Sequence, residues 1–553
     1  MLRRAWPGLR SSTAATAAPR WSFGAAVRAM SSAGGAVESS LGSTKPKIVI
    51  LGSGWAGNRL ARKLDKEMYD VTLVSPANHF LVTPLLPQTA LGTLEFRHIQ
   101  EPVRAIKGVE YFQAKARAVD WRQQTLQCEE CISEHRPNGH SFMLNFDALV
   151  VATGCKTNTF NTPGVNEAEG REVHFLKHIA HARGVRNRLL ECFERAAMPG
   201  LSTEERNRLL SFVVVGGGPT SCEFTTELHD FLSSDVARWA YPDLAKHVRI
   251  TLVEAGARLM PAFDAVLTSH MNQRLIERGI DVRTETAVRA LETDDTGCTN
   301  VAVLAPTKGA KPSEEERLPF GLLVWSAGLQ QVKFVQNLYS ASVEIQKDRT
   351  GRIVVNDQMQ VLVEDTDDED EAPTDDDEYS EWLQQRANAA SPTLLGGRVY
   401  ALGDCAADER APLPPTAQVA EQQADYLAAS LNQGLLRALP RDAPVPTPAP
   451  VPPSSFPPIP PMFYAKSTGF QYVARGSMSS AGLGDGLVDM TRISRPGKDG
   501  EPLTTRGPTL TGPMAFTAWH GYYFSKQYQS LNVVLNVLQS FKSRLFRRDI
   551  SRF

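Results

Sequence analysis

Cysteine is scarce in this chain. The seven cysteines among 553 residues follow no disulfide framework, which favours a reducing or matrix-like compartment. Long hydrophobic runs are also absent: no stretch approaches the roughly 18 uninterrupted apolar residues of a spanning helix, so the sequence is not that of an integral membrane protein. Finally, neither sign of charge dominates. The formal net charge is −2, and nothing global points to a nucleic-acid partner.

Acidic residues are missing from the beginning of the chain. No Asp or Glu precedes Glu38, whereas five arginines and many Ala and Ser residues occur by position 28. This composition is typical of an organelle transit peptide, which we assign to residues 1–45. The arginine richness favours a mitochondrion and leaves a plastid as the alternative. A disordered tail without a targeting role is the other interpretation.

The most informative positive feature is a pair of glycine turns, each preceded by a short apolar strand. Both are expected to lead into a helix whose N-terminal amides can bind a pyrophosphate, so two dinucleotides are predicted in one molecule. Electrons would then pass between them. The turn residues are Gly52, Gly54 and Gly57 after the strand 48–51, and Gly216 and Gly218, with Ser221 in the third position, after the strand 212–215.

The two turns differ at the end of the next strand, where an acid would bind ribose. The strand 71–74 is followed by Ser75, whereas the strand 250–253 is followed by Glu254. A carboxylate there accepts the ribose hydroxyls and repels a 2′-phosphate, which favours NADH over NADPH. Arg258 weakens this preference without cancelling it. We therefore assign the first turn to FAD and the second to NADH.

Three more apolar strands fit a flavoprotein with two dinucleotide sites. Strands ending at Thr153-Gly154 and at Gly328 are expected to close the two nucleotide domains and pass the chain from one to the other. A later strand delivers Gly403-Asp404, and this carboxylate can accept from a flavin ribityl hydroxyl. We expect all five of these residues to contact a cofactor.

These motifs resemble those of the type II, or alternative, NADH:quinone oxidoreductases, which are single-subunit enzymes that do not pump protons. The resemblance extends from about Lys47 to the C-terminus, with insertions. It rests on the segments 52–57 (GSGWAG), 80–87 (FLVTPLLP), 213–220 (VVVGGGPT) and 413–420 (LPPTAQVA). It implies non-covalent FAD, NADH, a membrane quinone (ubiquinone, with plastoquinone as the alternative) and peripheral attachment to the mitochondrial inner membrane.

The expected fold class is α/β, with two Rossmann-like dinucleotide-binding domains and a C-terminal membrane-docking module that carries an amphipathic helix. The FAD domain is expected to be discontinuous, because its last strand lies beyond the NADH domain. The predicted segments are 46–180 (FAD, first part), 181–335 (NADH), 336–438 (FAD, second part), 439–461 (proline-rich linker) and 462–553 (membrane-associated module).

Three side chains are candidates for catalysis. Trp55 is expected to cover the flavin or the quinone, with helix packing as the alternative. The resemblance implies that Glu223 lies near the nicotinamide–flavin contact and helps to move protons. The structural alternative, which is compatible with this role, is a favourable interaction of the carboxylate with the helix N-terminus. Gln418 is expected to donate to a quinone carbonyl, while Thr416 and Ala417 present backbone groups to the flavin.

Glu421 has two equally supported interpretations, a proton donor to quinone or an exposed helix carboxylate. Two other functions also remain open. A sulfide:quinone oxidoreductase would use Cys155 and Cys405, although Glu254 argues for NADH. A flavin-bound NADH sensor, like the apoptosis-inducing flavoproteins, would not need the Gln418 motif. A disulfide reductase is excluded because no cysteine pair follows the first turn.

No metal site is predicted. Cys128 and Cys131, with His135 and His140, have zinc-like ligand types but match no common spacing, and we expect a surface β-hairpin there. The acidic insert 364–381 lacks the glycine and terminal glutamate of an EF-hand loop and is interpreted as a solvated loop.

The end of the chain is predicted to form one amphipathic, membrane-facing helix. Its expected apolar face contains Phe524, Tyr528, Leu531, Leu535, Leu538 and Leu545. The opposite polar stripe contains Asn532, Asn536, Gln539 and Ser543. The cations Lys542, Arg544, Arg547 and Arg548 would meet anionic lipid. A homodimer contact or core packing is the alternative use of this helix.

Overall fold

Two parallel five-stranded sheets form the framework of the protein. Most of their strands are the short apolar runs found in the sequence and are largely buried, as expected when helices cover both faces of a parallel sheet, whereas the outer strands Val109–Phe112 and Asp281–Arg283 are partly exposed. In a computed structural model, residues 45–551 are described except for 133–138, 295–297, 308–314, 340–343, 365–391, 411–412, 438, 442, 453–468 and 497–501. His135, nearly all of the predicted transit peptide and acidic insert, and residues 453–461 of the predicted linker lie outside the described residues.

The strands have the following bounds in chain order: β1 (Lys47–Leu51), β2 (Asp70–Val74), β3 (His79–Leu81), β4 (Gln100–Pro102), β5 (Val109–Phe112), β6 (Ala114–Asp120), β7 (Thr125–Glu130), β8 (Ser141–Asn145), β9 (Ala148–Val151), β10 (Cys155–Thr157), β11 (Val173–Phe175), β12 (Ser211–Val215), β13 (Arg249–Val253), β14 (Asp281–Arg283), β15 (Thr286–Thr293), β16 (Thr299–Pro306), β17 (Glu316–Pro319), β18 (Leu322–Trp325), β19 (Leu329–Gln331), β20 (Ile353–Val355), β21 (Val399–Ala401), β22 (Ala406–Asp408), β23 (Arg475–Ser480), β24 (Gly486–Pro496), β25 (Pro502–Thr505) and β26 (Thr509–Thr511).

The α-helices are α1 (Trp55–Lys63), α2 (Leu86–Ala90), α3 (Ile179–Ala196), α4 (Thr203–Leu209), α5 (Pro219–Phe231), α6 (Ala265–Glu277), α7 (Lys333–Gln336), α8 (Ala417–Leu431), α9 (Pro513–Ser525) and α10 (Ser530–Phe546). A π-helical segment, Leu232–Ala240, continues α5. The predicted helix after the first glycine turn is confirmed, and it ends at Lys63.

The first sheet has the order β21-β9-β1-β2-β5, so a strand near residue 400 pairs with strands of the first 151 residues. The second sheet has the order β11-β18-β12-β13-β14. The chain leaves the first sheet through β10 and the second through β19. These two crossing strands pair antiparallel, with Cys155 opposite Gln331, and they join the carboxyl ends of the two sheets. The chain therefore passes between the two sheets after β9 and again after β18, at the two positions expected from the sequence.

Smaller antiparallel sheets accompany each framework sheet. Strands β6, β7 and β8 form one, β15, β16 and β17 form another, and β23 to β26 form the third, near the C-terminus. The hairpin predicted around Cys128 is therefore present, but Cys128 itself is fully buried rather than on the surface. Its pKa is raised to about 12 by burial.

The C-terminal region differs from the single helix expected from the sequence. Two helices, α9 and α10, replace it, and Phe524 is buried in a core that also contains residues of α3 and α5. Trp519 of α9 is in the same core and is 1% exposed. Among the described residues, no helix is both long and apolar enough to cross a membrane.

Helix α10 packs with its polar stripe inward. The Asn536 amide donates to the carbonyl of His98 at 3.0 Å, and the Ser543 hydroxyl donates to the carbonyl of Thr93 at 3.1 Å. At the start of the helix, the amides of Tyr528 and Gln529 donate to the buried Glu101 carboxylate at 2.7 and 2.9 Å. These bonds satisfy polar groups that burial would otherwise penalise, and they leave the apolar face of α10 in solvent.

Arg548 anchors the chain just beyond α10. It was expected to face lipid, but it is buried and binds Glu227 at 2.9 Å and Asp235 at 3.0 Å. Its Nε also donates to the Thr93 hydroxyl at 2.7 Å. The expectation was wrong because the two buried carboxylates need a cation. The preceding residue, Arg547, remains exposed.

We expect Arg548→Met to destabilise the docking of the C-terminal segment by about 3 to 5 kcal/mol, because it leaves two buried carboxylates unpaired. Thermal unfolding at pH 7.5 would report this as a lower midpoint. The matched control Arg547→Met removes an exposed cation and should change stability by less than about 1 kcal/mol. Equal midpoints for the two variants would contradict the anchoring role.

Candidate active site

The first glycine turn has the geometry of a pyrophosphate cradle. Gly52 has a φ of +106°, and a side chain there would meet the carbonyl oxygen of Ala152 at 2.3 Å. A side chain at Gly57 would lie 1.9 Å from the carbonyl oxygen of Gly52, so both positions need glycine for close strand–helix packing. Gly54 is different, because nothing lies within 4 Å of a Cβ placed there. The open space stands at the N-terminus of α1, where amides attract an anion.

The second turn repeats this arrangement with one change. Gly216 has a φ of +113°, and Gly218 again faces open space. Ser221 replaces the third glycine, and its side chain is buried, with its hydroxyl 2.6 Å from that of Ser326 on the neighbouring β18 connection. The hydroxyl is therefore paired inside the domain rather than directed at the open space. The substitution is compatible with a dinucleotide at this turn.

Glu254 lies against the second turn. One carboxylate oxygen accepts from the amide of Gly217, and the other accepts from the amide of Gly256 at 2.5 Å. The carboxylate is thus held beside the glycine turn at the end of β13, as the ribose-binding assignment requires. The equivalent position of the first sheet has Ser75, whose hydroxyl lies 3.0 Å from that of Ser53.

The carboxyl ends of β9 and β21 lie side by side in the first sheet and bring two predicted flavin contacts together. Thr153 and Gly154 follow β9, and Gly154 has a φ of +63° with open space beside it. Gly403 follows β21, and its amide donates to the Gln423 side chain at 2.7 Å. Asp404 comes next and is partly exposed at this edge.

Asp404 belongs to a chain of polar contacts. The thiol of Cys155 donates to its carboxylate at 3.1 Å, and the ammonium of Lys177 lies 3.2 Å from the same sulfur. Burial raises the pKa of Cys155 to about 12. Lys177 was not among the predicted residues. It directly follows the β11 region of the second sheet, and only the tertiary structure brings it to the first.

The cysteines needed for sulfide chemistry are poorly suited to it. Cys405 is fully buried, burial raises its pKa, and its thiol donates to the carbonyls of Val151 and Leu402 at 3.3 and 3.2 Å. Because the thiolate is the reactive form, a raised pKa at both Cys155 and Cys405 disfavours nucleophilic sulfur. All seven cysteines are free. Among the described residues, no His, Cys, Asp and Glu group has the geometry of a metal site.

Glu223 is the most strongly perturbed acid of the site. It is buried on α5, just after the second glycine turn, and burial raises the pKa of its carboxyl to about 8. The amide of Ser480 and the indole N–H of Trp519 donate to its Oε1 at 3.1 and 3.2 Å, which partly offsets the burial. Both donors come from the C-terminal region. Neither was predicted, because no sequence motif marks a contact across more than 250 residues.

Trp55 packs between the two largest cores rather than standing free. Its indole N–H donates to the Thr83 hydroxyl at 3.1 Å, and its ring meets that of Phe80 edge-on at 5.1 Å between centroids. It remains partly exposed beside Gly54. These contacts fix its ring at the entrance of the first turn. Gly328 has a similar packing role, since a Cβ there would meet the Phe160 ring at 2.4 Å.

Two glutamines of α8 hold the segment that follows it in the chain. The Gln418 amide donates to the carbonyl of Gly476 at 2.8 Å, and Gln422 exchanges two hydrogen bonds of 3.0 Å with the backbone of Val473. Thr416 caps the helix by accepting from the Val419 amide at 3.4 Å, and Ala417 opens it. The N-terminus of α8 is therefore tied to strand β23, which leads to Ser480 beside Glu223.

Glu421 is not an exposed carboxylate. It is 3% exposed, and it binds Lys526 at 2.6 Å and Arg59 at 3.5 Å. Arg59 also makes an ion pair with Asp425 at 2.6 Å. Helices α1 and α8 and the residue that caps the end of α9 are thus joined by one charged network. The exposed alternative considered from the sequence is wrong, because tertiary packing brings two cations to this face.

The residues present fit two dinucleotides. Each turn has a middle glycine that opens onto free space at a helix N-terminus, and only the second has a carboxylate at its strand end. The fit therefore supports FAD at the first turn and NADH at the second. FAD contacts would come from Gly52, Gly54, Gly57, Thr153, Gly154, Gly403, Asp404, Thr416, Ala417 and Gln418. NADH contacts would come from Gly216, Gly218, Glu223, Glu254 and Gly328, whereas the predicted contact Ser221 would support the turn from inside the domain.

Comparison with known proteins agrees with this geometry. The pyridine nucleotide-disulphide oxidoreductase family model matches residues 46–366. A probable NADH dehydrogenase of Dictyostelium discoideum is 37% identical over 390 residues, 70% of this chain and 73% of that protein. The mitochondrial internal alternative NAD(P)H-ubiquinone oxidoreductase A1 of Solanum tuberosum is 32% identical over 530 residues, 93% of this chain and 90% of that protein.

Two further comparisons define how far the likeness extends. The match to the external alternative NAD(P)H-ubiquinone oxidoreductase B4 of Arabidopsis thaliana is 40% identical but spans only 47% of that longer protein. The structure of NDH2 from Plasmodium falciparum in complex with NADH superposes with a TM-score of 0.70, covering 92% of this chain and 100% of that one at 21% identity, which shows a shared fold. From the family match and the relatives of Dictyostelium discoideum and Solanum tuberosum, the chain belongs to the pyridine nucleotide-disulphide oxidoreductases and, within them, to the type II or alternative NAD(P)H:quinone oxidoreductases.

Proposed function

We propose that this protein oxidises NADH through a non-covalently bound FAD and reduces a membrane quinone, without pumping protons. The observation that carries the proposal is the pair of open glycine turns on two sheets whose carboxyl ends are joined by β10 and β19. Two dinucleotides bound there would share one crevice. The mitochondrial ubiquinone oxidoreductases among the relatives support ubiquinone as the quinone.

The bound flavin would supply the redox chemistry, accepting a hydride from NADH and giving two electrons to the quinone. The protein contributes position and protons. Glu254 would hold the adenosine ribose, and Asp404 the flavin ribityl chain. Burial raises the pKa of Glu223 to about 8, so its carboxyl would be mostly protonated at neutral pH, and the bonds that its Oε1 accepts from Ser480 and Trp519 would hold it in place. It is therefore placed to give a proton as the quinone is reduced.

On the quinone side we assign Gln418 a modified role. One hydrogen of its amide is already donated to Gly476, so Gln418 would form the wall between flavin and quinone and use its remaining hydrogen for the quinone carbonyl. Trp55 would close the opposite side beside Phe80. Glu421, paired with two cations, would hold α1, α8 and the end of α9 together rather than donate a proton.

The domain assignments follow the sheets. Residues 46–180 and 336–438 would bind FAD, 181–335 would bind NADH, and 462–553 would dock on the bilayer. In α10 the apolar side chains that face solvent include Leu531, Val534, Val537, Leu538, Phe541, Leu545 and Phe546, all more than half exposed. We propose that this surface lies on the mitochondrial inner membrane and draws quinone from it. A homodimer through the same surface is the competing outcome.

A direct assay tests the function. The purified yellow protein should bleach on addition of NADH. Its colour should return at least as fast as it bleached when a short-chain ubiquinone is added. Recovery that is slow compared with bleaching would favour an NADH sensor and contradict the enzyme. Sulfide should not bleach the flavin at comparable concentrations.

We expect Glu223→Gln to remove a pH-dependent limb near pH 8 from the rate of quinone reduction, because the substituted side chain does not titrate. The wild-type rate should fall as pH rises through this value.

The pH dependence of stability provides a second measurement on Glu223. A carboxyl whose pKa rises from 4.5 to about 8 on folding stabilises the fold at low pH, and this contribution is lost as pH rises to 8. The melting midpoint of the wild type should therefore fall relative to Glu223→Gln between pH 5 and pH 8. Glu277→Gln, on the surface of α6, should change neither profile.

We expect Glu254→Gln to lower kcat/KM for NADH about tenfold and to narrow the gap between NADH and NADPH, because the acceptor for ribose and the repulsion of a 2′-phosphate are both weakened. Steady-state rates with the two nucleotides at a fixed quinone concentration measure this. Glu277→Gln again provides the surface control. Equal NADH and NADPH rates in the wild type would refute the assigned preference.

We expect Leu538→Glu to reduce binding to liposomes of phosphatidylcholine and cardiolipin at least tenfold, since apolar contact is lost and charge is added. Ile276→Glu on α6 is a closely matched control, because both leucine and isoleucine are 58% exposed. Flotation of the full-length, FAD-loaded protein measures the binding. If Leu538→Glu instead leaves flotation unchanged and converts a dimer to a monomer on size exclusion, the surface is a dimer contact.

A further inference from the structure

A second candidate contact with the bilayer lies outside the C-terminal helices, at the end of the π-helical segment that continues α5. Trp239 is 51% exposed there, although large aromatic side chains are normally covered in a folded domain. The neighbouring Arg238 is exposed as well. An exposed tryptophan beside a cation is characteristic of surfaces at the water–lipid interface, where the ring enters the headgroup layer.

Trp239 adjoins the proposed docking helix. The guanidinium carbon of Arg547, the first residue after α10, lies 5.2 Å from the centroid of its ring. Immediately before Arg547, Leu545 and Phe546 are 59% and 75% exposed. The exposed apolar face of α10 and the Trp239 ring are thus consecutive parts of one surface, joined by a cation–π contact.

Buried ion pairs fix the end of α10 against the segment that carries Trp239. Arg548 binds Asp235, four residues before Trp239 in the π-helical segment, at 3.0 Å, and it binds Glu227 on α5 at 2.9 Å. All three charged groups are buried. The end of α10 therefore cannot approach a membrane without bringing Trp239 with it.

We propose that Trp239, together with Arg238 and Arg547, forms an interfacial anchor through which the NADH-binding domain itself contacts an anionic lipid bilayer. The proposal rests on the bilayer docking of α10 put forward above and extends it to a second element of the fold. With this anchor, the enzyme would touch the membrane at two separate parts of the chain. Its orientation on the membrane would then be defined.

The charge of the surface around Trp239 favours a lipid bilayer over a second copy of the chain as its binding partner. A symmetric contact between two copies would bring their exposed guanidinium groups together, at a cost in free energy. Anionic headgroups would compensate these cations and also the exposed cations Lys542 and Arg544 of α10. The nearby carboxylate of Asp549 lies 3.9 Å from the Arg186 guanidinium and so is already partly compensated.

Tryptophan quenching tests the anchor in the full-length, FAD-loaded protein. Vesicles of phosphatidylcholine and cardiolipin would contain lipids brominated near the headgroup end of the acyl chain, which quench only indoles at that depth. The quenched fluorescence of the wild type minus that of Trp239→Phe isolates residue 239. We expect a clear positive difference with brominated vesicles and none with unbrominated vesicles.

Partitioning gives a second readout. Trp239→Ala should weaken binding to the same vesicles about fivefold, and Trp239→Phe should restore part of the loss, because much of the apolar area returns. Arg547→Gln should weaken binding to anionic vesicles more than to vesicles of phosphatidylcholine alone. Tyr339→Ala removes an aromatic side chain that is 58% exposed beside Trp121 and should not change binding.

The outcomes separate this proposal from the docking of α10. Binding that is lost in Leu538→Glu but unchanged in Trp239→Ala, with no quenching difference at residue 239, would overturn the anchor and leave α10 docking intact. A wild type that binds no vesicle would overturn both. A change in oligomeric state on Trp239→Ala, without a change in vesicle binding, would assign the surface to a second copy and also overturn the anchor.

Discussion

The binding of acidic side chains on α5 by the C-terminal part of the chain is the interaction on which the rest of this structure depends. Glu223 accepts from Ser480 and Trp519, and Glu227 binds Arg548. One turn later, Asp230 accepts from the amide of Leu483 at 2.6 Å. The helix that begins at the second glycine turn is therefore fastened along its length to the segment proposed to face the membrane. Buried carboxylates without these partners would be costly, so the two regions are expected to be stable only together.

This fastening explains why the C-terminal residues are not a separate module with its own core. Trp519 and Phe524 of α9 contribute to the core that contains α3 and α5. Helix α10 then uses its polar side chains for hydrogen bonds to the backbone of residues 93–100, and its apolar side chains remain outside. A helix that buries its polar stripe is unusual in a soluble protein, where the apolar stripe normally faces the core. The inversion supports a surface that meets lipid or another apolar partner.

The two glycine turns illustrate how one motif can meet different demands. The glycines at 52 and 57 are required by backbone contacts of 2.3 and 1.9 Å, whereas Ser221 is accepted in the second turn because its hydroxyl pairs with Ser326. The middle glycine is open in both. Close packing therefore varies between the turns, while the space at the helix N-terminus is kept. This space, rather than the complete glycine pattern, is the part that a pyrophosphate requires.

Local pattern was sufficient to predict the strands, both turns and the acid at Glu254, because a buried parallel strand and its glycine turn are encoded by adjacent residues. The sequence also determined the amphipathic character of the last helix. Only the tertiary structure decided which face of α10 is buried, that Glu421 and Arg548 are paired inside the protein, and that Trp519, Ser480 and Lys177 reach the site. Each of these depends on contacts between residues far apart in the chain, and periodicity within one segment carries no information about the partner that will cover it.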